Sequence, residues 1–380
     1  MKQALIQAPI FTGDEWLEHR ALLIDEGRIR ALVPEDQIPA DYLVDSMPGM
    51  RLIPGLIDTQ VNGGGGVLFN DAPTVDTLRT LGAAHRRYGT TGLLPTLISD
   101  DLDIVARAIG AVRQAISDGV PGILGIHLEG PFLNPARKGV HDESKFRRLT
   151  PEAVDLLSSL DNGFTLVTLA PERTTPELIR ELTRRGVMVA AGHTAADYEQ
   201  TRTALAAGVR SFTHLFNAMT PMTSREPGVV GAALEDPDSW CGLIVDGHHV
   251  HAATLKVAVA AKPRGKMVLV TDAMPTVGAE LKQFTLKGEV IHAENGRCAT
   301  ADGTLAGSDL DMLSAVRNTV TQLGLPLEEA LRMASLYPAQ MLGLERELGR
   351  LAPGYRANLV AVDDQLQVRQ SWIDGATQRF

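Results

Sequence analysis

Four side chains in this 380-residue sequence are of types that could do chemistry together. They are Glu129 in "GIHLEGPF", His193 in "AAGHT", His214 in "THLFNAM" and Asp272 in "VTDAM". Each closes an apolar run of strand length. One carboxylate and two imidazoles make a donor set for a catalytic divalent cation with open positions. Zinc is the first choice, with iron(II) or another first-row ion as the alternative, because ligand type discriminates weakly among them. Asp272 would remain as a free carboxylate for proton transfer. Taken singly, a histidine in an apolar strand is usually a satisfied core residue, and an aspartate at a strand end usually caps a turn. Four such residues at the same end of four runs weaken that explanation.

The run "IDTQVNGGGG" adds Asp58, Gln60 and Asn62. Side chains two apart at a strand end point the same way. Gln60 and Asn62 therefore stand where a His-x-His metal pair would, yet amides bind divalent metals poorly. They are expected to line the metal pocket. The glycine run lacks a following Gly-Lys-Ser/Thr, so it is no phosphate-binding P-loop. His127, two residues before Glu129, lies deeper on the same strand face and is read as packing or support. His85 and His292 receive no role, and His248 and His251 are read as incidental loop histidines.

Elements that would position these residues follow from hydrophobic periodicity. Eight strand candidates, "LIPGLID", "TGLLPTL", "GILGIHLEG", "FTLVTLAP", "VMVAAGHT", "VRSFTHLFN", "CGLIVDG" and "KMVLVTDA", alternate with amphipathic helices. Parallel strands with crossover helices in eight units predict a closed α/β barrel of the (β/α)8 TIM type. An open doubly wound sheet is the alternative, but the first strand lacks the Gly-x-Gly-x-x-Gly fingerprint. A β-like excursion is expected at residues 278–306, then helices near 309–323 and 326–343. Residues 1–53 and 349–380 alternate short strands and turns, and are expected to form one small β-sandwich-like domain. Residues 54–348 would be the barrel.

Composition narrows the function classes. Apolar residues make up 44% and charged residues 22%, as in ordinary globular proteins. A formal net charge of −10 argues against nucleic acid or an anionic membrane as partner. Cys241 and Cys298 stand in unrelated contexts, which supports neither a zinc ribbon nor a disulfide scaffold. The N-terminal residues hold no sustained apolar stretch, and no run approaches a ~20-residue uncharged span. A cytoplasmic enzyme is the expectation.

The motifs "PGLID", "GIHLEGPF", "AGHT", "THLFNAM", "DGHHV", "VTDAM" and "LAGSDLDM", in this order, resemble the N-acetylglucosamine-6-phosphate deacetylases of the amidohydrolase superfamily. The resemblance runs nearly end to end. It implies a metal-bearing barrel with a small β domain, and one catalytic divalent ion per subunit where Gln60 and Asn62 replace the histidine pair. The implied reaction is hydrolysis of N-acetyl-D-glucosamine 6-phosphate to D-glucosamine 6-phosphate and acetate. Asp272 would act as general base and then acid. His141 in "KGVHDE" would polarise the acetyl carbonyl or hold the sugar. Arg225 in "TSREPG" would bind phosphate, reaching the neighbouring site of a homodimer, and a guanidinium suits phosphate oxygens in bidentate geometry. His249 would contact phosphate or a sugar hydroxyl. Val140, Asn217, Ala218, Asp246, Leu305, Ala306 and Gly307 complete the implied substrate contacts. The alternatives are a deacetylase of the galactosamine epimer, an amidohydrolase acting on an unphosphorylated or cyclic amide, and a metal-stabilised binding protein without activity.

Overall fold

A computed structural model describes residues 2–380. The chain divides into two compact units, one of Met1–Asp58, His85–Gly92 and Asp311–Phe380, the other of Thr59–Ala84 and Leu93–Leu310.

Eight strands form one parallel sheet in chain order: β1 Leu56–Val61, β2 Thr90–Ile98, β3 Gly125–Glu129, β4 Phe164–Leu169, β5 Met188–Ala191, β6 Val209–Phe212, β7 Trp240–Leu243 and β8 Met267–Leu269. The sheet curls until its ends meet. Val61 bridges Ala273 in parallel, and the Asp272 N–H donates to the Gln60 carbonyl at 3.0 Å. The eight sequence runs correspond to these eight strands, and the expected (β/α)8 barrel is the fold observed. Continuous apolar runs without alternation are what a sheet buried on both faces requires. All nine residues of β2 are buried, as are all five of β3.

Helices between the strands begin where local chemistry says they should. Thr175 accepts from the Leu178 N–H and Pro176 occupies the first turn of the helix Pro176–Arg184, whose buried face carries Ile179 and Leu182. Asp197 and Gln200 form a reciprocal capping box at the start of Tyr198–Ala207. The excursion after β8 is a four-stranded antiparallel sheet, Gln283–Leu286, Glu289–Glu294, Arg297–Ala299 and Leu305–Ser308. Leu286, Ile291, Cys298 and Ala306 from it pack with Ile98 and Met274.

The other unit carries the β-rich chain ends. Leu359–Val362 runs antiparallel to Arg51–Pro54 within a six-stranded sheet, and Gln3–Ile6 lies inside a four-stranded one. Leu5, Leu22 and Ile24 from the smaller sheet share a core with Ile10, Leu52, Leu359 and Trp372 from the larger, a sandwich arrangement. The helix expected at 326–343 is two helices, Leu327–Ala334 and Leu336–Met341. Pro338 explains the break: its ring would clash with the Ala334 carbonyl of a continuous helix. Among the described residues no helix is long and apolar enough to cross a membrane.

Candidate active site

Glu129 is the last residue of β3, and its buried carboxylate points into the barrel mouth. His193 and His214 each sit two residues beyond a strand end, with φ of 46° and 31°. These left-handed conformations are costly for non-glycine residues and tend to occur where side-chain placement is overdetermined. They end the strands and aim both imidazoles at Glu129. His193 Nε2 lies 3.2 Å and His214 Nε2 3.0 Å from Glu129 Oε1, and the two nitrogens are 3.1 Å apart.

His193 Nδ1 is 2.8 Å from the Arg137 carbonyl oxygen. A carbonyl only accepts, so Nδ1 carries the proton and Nε2 presents a lone pair. Two imidazole nitrogens and a carboxylate oxygen this close repel one another unless a proton or cation sits among them. These three residues are the only such group of metal-ligand type among the described residues, and a divalent cation fits the donor set. Burial alone would raise the Glu129 carboxyl, but the His193 and His214 imidazoles against it hold it well below its ordinary range. Gly139, at φ +55°, lies against His193, where a Cβ would stand 3.3 Å from Cε1.

Asp272 follows β8 with φ of 53° and faces the same space. Asn62 Nδ2 donates to its Oδ1 at 2.7 Å and Gln60 Nε2 at 3.1 Å; the latter also lies 3.4 Å from both Glu129 oxygens. Gln60 thus bridges the two carboxylates, and Asn62 holds Asp272 alone. Burial, and next the charge of Glu129, push the Asp272 carboxyl above its ordinary range.

His141 and His249 approach from loops. The Ser99 N–H donates to His141 Nδ1 at 3.3 Å, so in the neutral ring the proton sits on Nε2. Burial pushes this imidazole well below its ordinary range, which keeps it neutral. His249 Nδ1 lies 2.6 Å from Asp246 Oδ2, and Asp246 Oδ1 accepts the N–H groups of His248 and His249 at 2.8 and 2.9 Å. Asp246 therefore sets the orientation of the His249 ring. Val140, Asn217, Ala218, Leu305 and Gly307 line the same cavity of about 180 Å³, and Ala306 is buried in the strand between the last two.

The "Amidohydrolase family" model matches residues 51–378, and the "NagA composite domain" model matches residues 3–52. The chain belongs to the amidohydrolase family. It is a hydrolase of amide bonds. It is 42% identical to the N-acetylgalactosamine-6-phosphate deacetylase of Shewanella sp. (strain ANA-3), over 97% of this chain and 94% of that one. Among solved structures, the N-acetylglucosamine-6-phosphate deacetylase of Pasteurella multocida superposes with a TM-score of 0.96 at 34% identity, covering 100% of both chains. A mutant N-acetylglucosamine-6-phosphate deacetylase of Mycobacterium smegmatis, solved in complex with N-acetyl-D-glucosamine 6-phosphate, gives 0.91 at 34%, covering 99% of each.

In this amidohydrolase, one residue expected at the site stands apart. Arg225 is exposed, does not line the cavity, and has no side-chain hydrogen bond or ion pair among the described residues. Other residues at the site were not expected. Ile98 and Met274 form apolar wall, and Ser99 fixes His141. The signal for Ser99 was its place: it directly follows "TLI", which ends β2 at the barrel face where the other site residues gather.

Proposed function

We propose that this amidohydrolase removes the acetyl group of N-acetyl-D-glucosamine 6-phosphate by hydrolysis, giving D-glucosamine 6-phosphate and acetate. The observation that carries the reading is the convergence of Glu129, His193 and His214 with a free carboxyl, Asp272, in one cavity. A divalent cation held by those three residues, zinc by first choice, would supply Lewis acidity and lower the pKa of water toward ~7. Asp272 takes the proton from the attacking water and returns it to the departing nitrogen. Its raised carboxyl suits it to hold that proton between the two steps. The neutral His141, with its proton on Nε2, donates toward the acetyl oxygen as negative charge develops there. Gln60 and Asn62 hold Asp272 in place.

His249, oriented by Asp246, holds the sugar phosphate from one side, with Val140, the Asn217–Ala218 segment and Leu305–Gly307 around it. Arg225 supplies the phosphate's guanidinium partner in the neighbouring subunit of a homodimer. Its freedom from partners in its own chain and the exposed apolar side chains Met222 and Val257 support that reading. Both cysteines are free and buried, in keeping with a reducing cytoplasm.

A second reading, the galactosamine epimer as substrate, is favoured by the 42% identity to the Shewanella enzyme. Acetate release measured on both 6-phosphorylated epimers and on bare N-acetylglucosamine tests the proposal. The gluco 6-phosphate is expected to give the highest kcat/KM. A higher value on the galacto epimer transfers the assignment to it, and equal turnover of the bare sugar overturns a phosphate-dependent site.

A further inference from the structure

Below the metal ligands, four buried side chains form a hydrogen-bonded chain that the proposed reaction does not use. Thr96 on β2 accepts the Val61 N–H at 2.9 Å, and its Oγ1 lies 3.1 Å from His127 Nδ1. His127 Nε2 lies 2.7 Å from Thr168 Oγ1 on β4, which lies 2.6 Å from Thr213 Oγ1, just beyond β6. All four residues are at least 95% buried. The chain passes from β4 to β6 across β5, where the residue in its path is Gly192. A Cβ there would stand 2.7 Å from Thr168 Cγ2 and 3.0 Å from the Thr213 Cβ. Gly192 does not have a positive φ, so the glycine is required for space.

Three of the links and the glycine lie beside a metal ligand. His127 is two residues before Glu129, and Thr168 is paired in register with Glu129. Gly192 precedes His193 and Thr213 precedes His214. We infer that the His127–Thr168–Thr213 chain, running over Gly192, is a brace that fixes the spacing of Glu129, His193 and His214 and so sets affinity for the cation. These are positioning residues; none touches the reacting atoms. The inference rests on the proposed metal site. It assigns to the strand-three histidine and to the glycine that follows strand five a shared task.

Thr168→Val replaces a hydroxyl by a methyl of the same shape, and Thr168→Ser keeps the hydroxyl. Zinc affinity of the full chain is measured by competition with a chromogenic chelator, and melting is followed on the metal-free protein. Thr168→Val is expected to bind zinc about ten- to a hundredfold more weakly, the usual effect of losing support behind a metal ligand. Thr168→Ser should keep wild-type affinity, and the metal-free melting temperatures should stay close. Should Thr168→Val fail to fold, Thr213→Val, which leaves both imidazole nitrogens partnered, carries the same expectation. Wild-type affinity in the valine variant, or a loss that serine does not rescue, overturns the brace. A wild-type protein that itself binds no zinc, iron(II) or manganese overturns the metal site instead.

Discussion

Asn62 Nδ2 donates to Asp272 Oδ1 at 2.7 Å, joining the segment just past the first barrel strand to the one that follows the last. The pairing explains why amides occupy positions where histidines would suit a second metal. A donor beside a carboxylate stabilises its charged form and lowers its pKa. Burial and Glu129 work in the opposite direction on Asp272. Asn62→Ala removes the shorter of two amide donors, so the carboxyl rises further. A general base must be deprotonated, so the acid limb of kcat/KM moves to higher pH. On that limb the loss should be about tenfold, the equivalent of one charge-assisted hydrogen bond, with a smaller change on the plateau. A profile that keeps its shape would show that Asn62 does not tune Asp272.

Asp272→Asn should separate activity from stability. Loss of a proton-transfer group costs about 10²–10⁴ in kcat. In the metal-free protein the folded carboxyl lies above its unfolded value, so the folded state holds this proton more tightly. Stability from that source is complete below the unfolded pKa of about 3.9 and is lost as pH rises through the folded value. Asparagine cannot ionise and keeps an acceptor for Asn62 and Gln60. Metal-free Asp272→Asn should therefore melt above metal-free wild type at pH 8, the gap closing at acid pH. Thermal scans at several pH values decide it, and an equal or lower melting point at pH 8 counts against a buried, charged Asp272.

His193→Ala deletes one of three donors and the hydrogen bond to the Arg137 carbonyl. Two protein ligands hold a divalent ion far less tightly than three. Metal content by elemental analysis and acetate release should fall together. Chelation of the wild type should abolish activity, and zinc should restore it. Full turnover in protein shown to be metal-free would remove the cation from the scheme.

How much of this was legible in the sequence depended on the range of the interaction. Parallel strands buried on both faces read as continuous apolar runs, and the polar residue closing each run marks the barrel mouth, so Glu129, His193, His214 and Asp272 stood out. What Gln60 and Asn62 do was hidden, because β1 meets the residues after β8 only when the barrel closes. The hydroxyls around His127 looked like ordinary strand threonines, since their partners lie on other strands. Ser99 follows β2 as a small hydroxyl whose partner, His141, lies 42 residues on. Pro338 inside an expected helix was visible, and its effect was the break found there.

Arg225 offers the sharpest test of assembly. Within its own chain the side chain is exposed and without partners, so a phosphate role requires another subunit or a bound substrate that reaches it. Arg225→Ala should chiefly raise KM for the phosphorylated sugar, with little effect on the bare sugar, because the lost contact is made in ground and transition states alike. Supply from the partner subunit predicts complementation. Arg225→Ala lacks the guanidinium, and Asp272→Asn lacks the base. A mixed dimer has one site with the Asp272 of the first chain and the Arg225 of the second. With random exchange, half the dimers are mixed and one of their two sites is complete, so about a quarter of wild-type activity returns at low substrate. Mixing after partial unfolding and refolding, with each variant treated alone as the control, measures it. Activity no higher than the average of the two controls would mean that Arg225 serves its own chain or no phosphate at all.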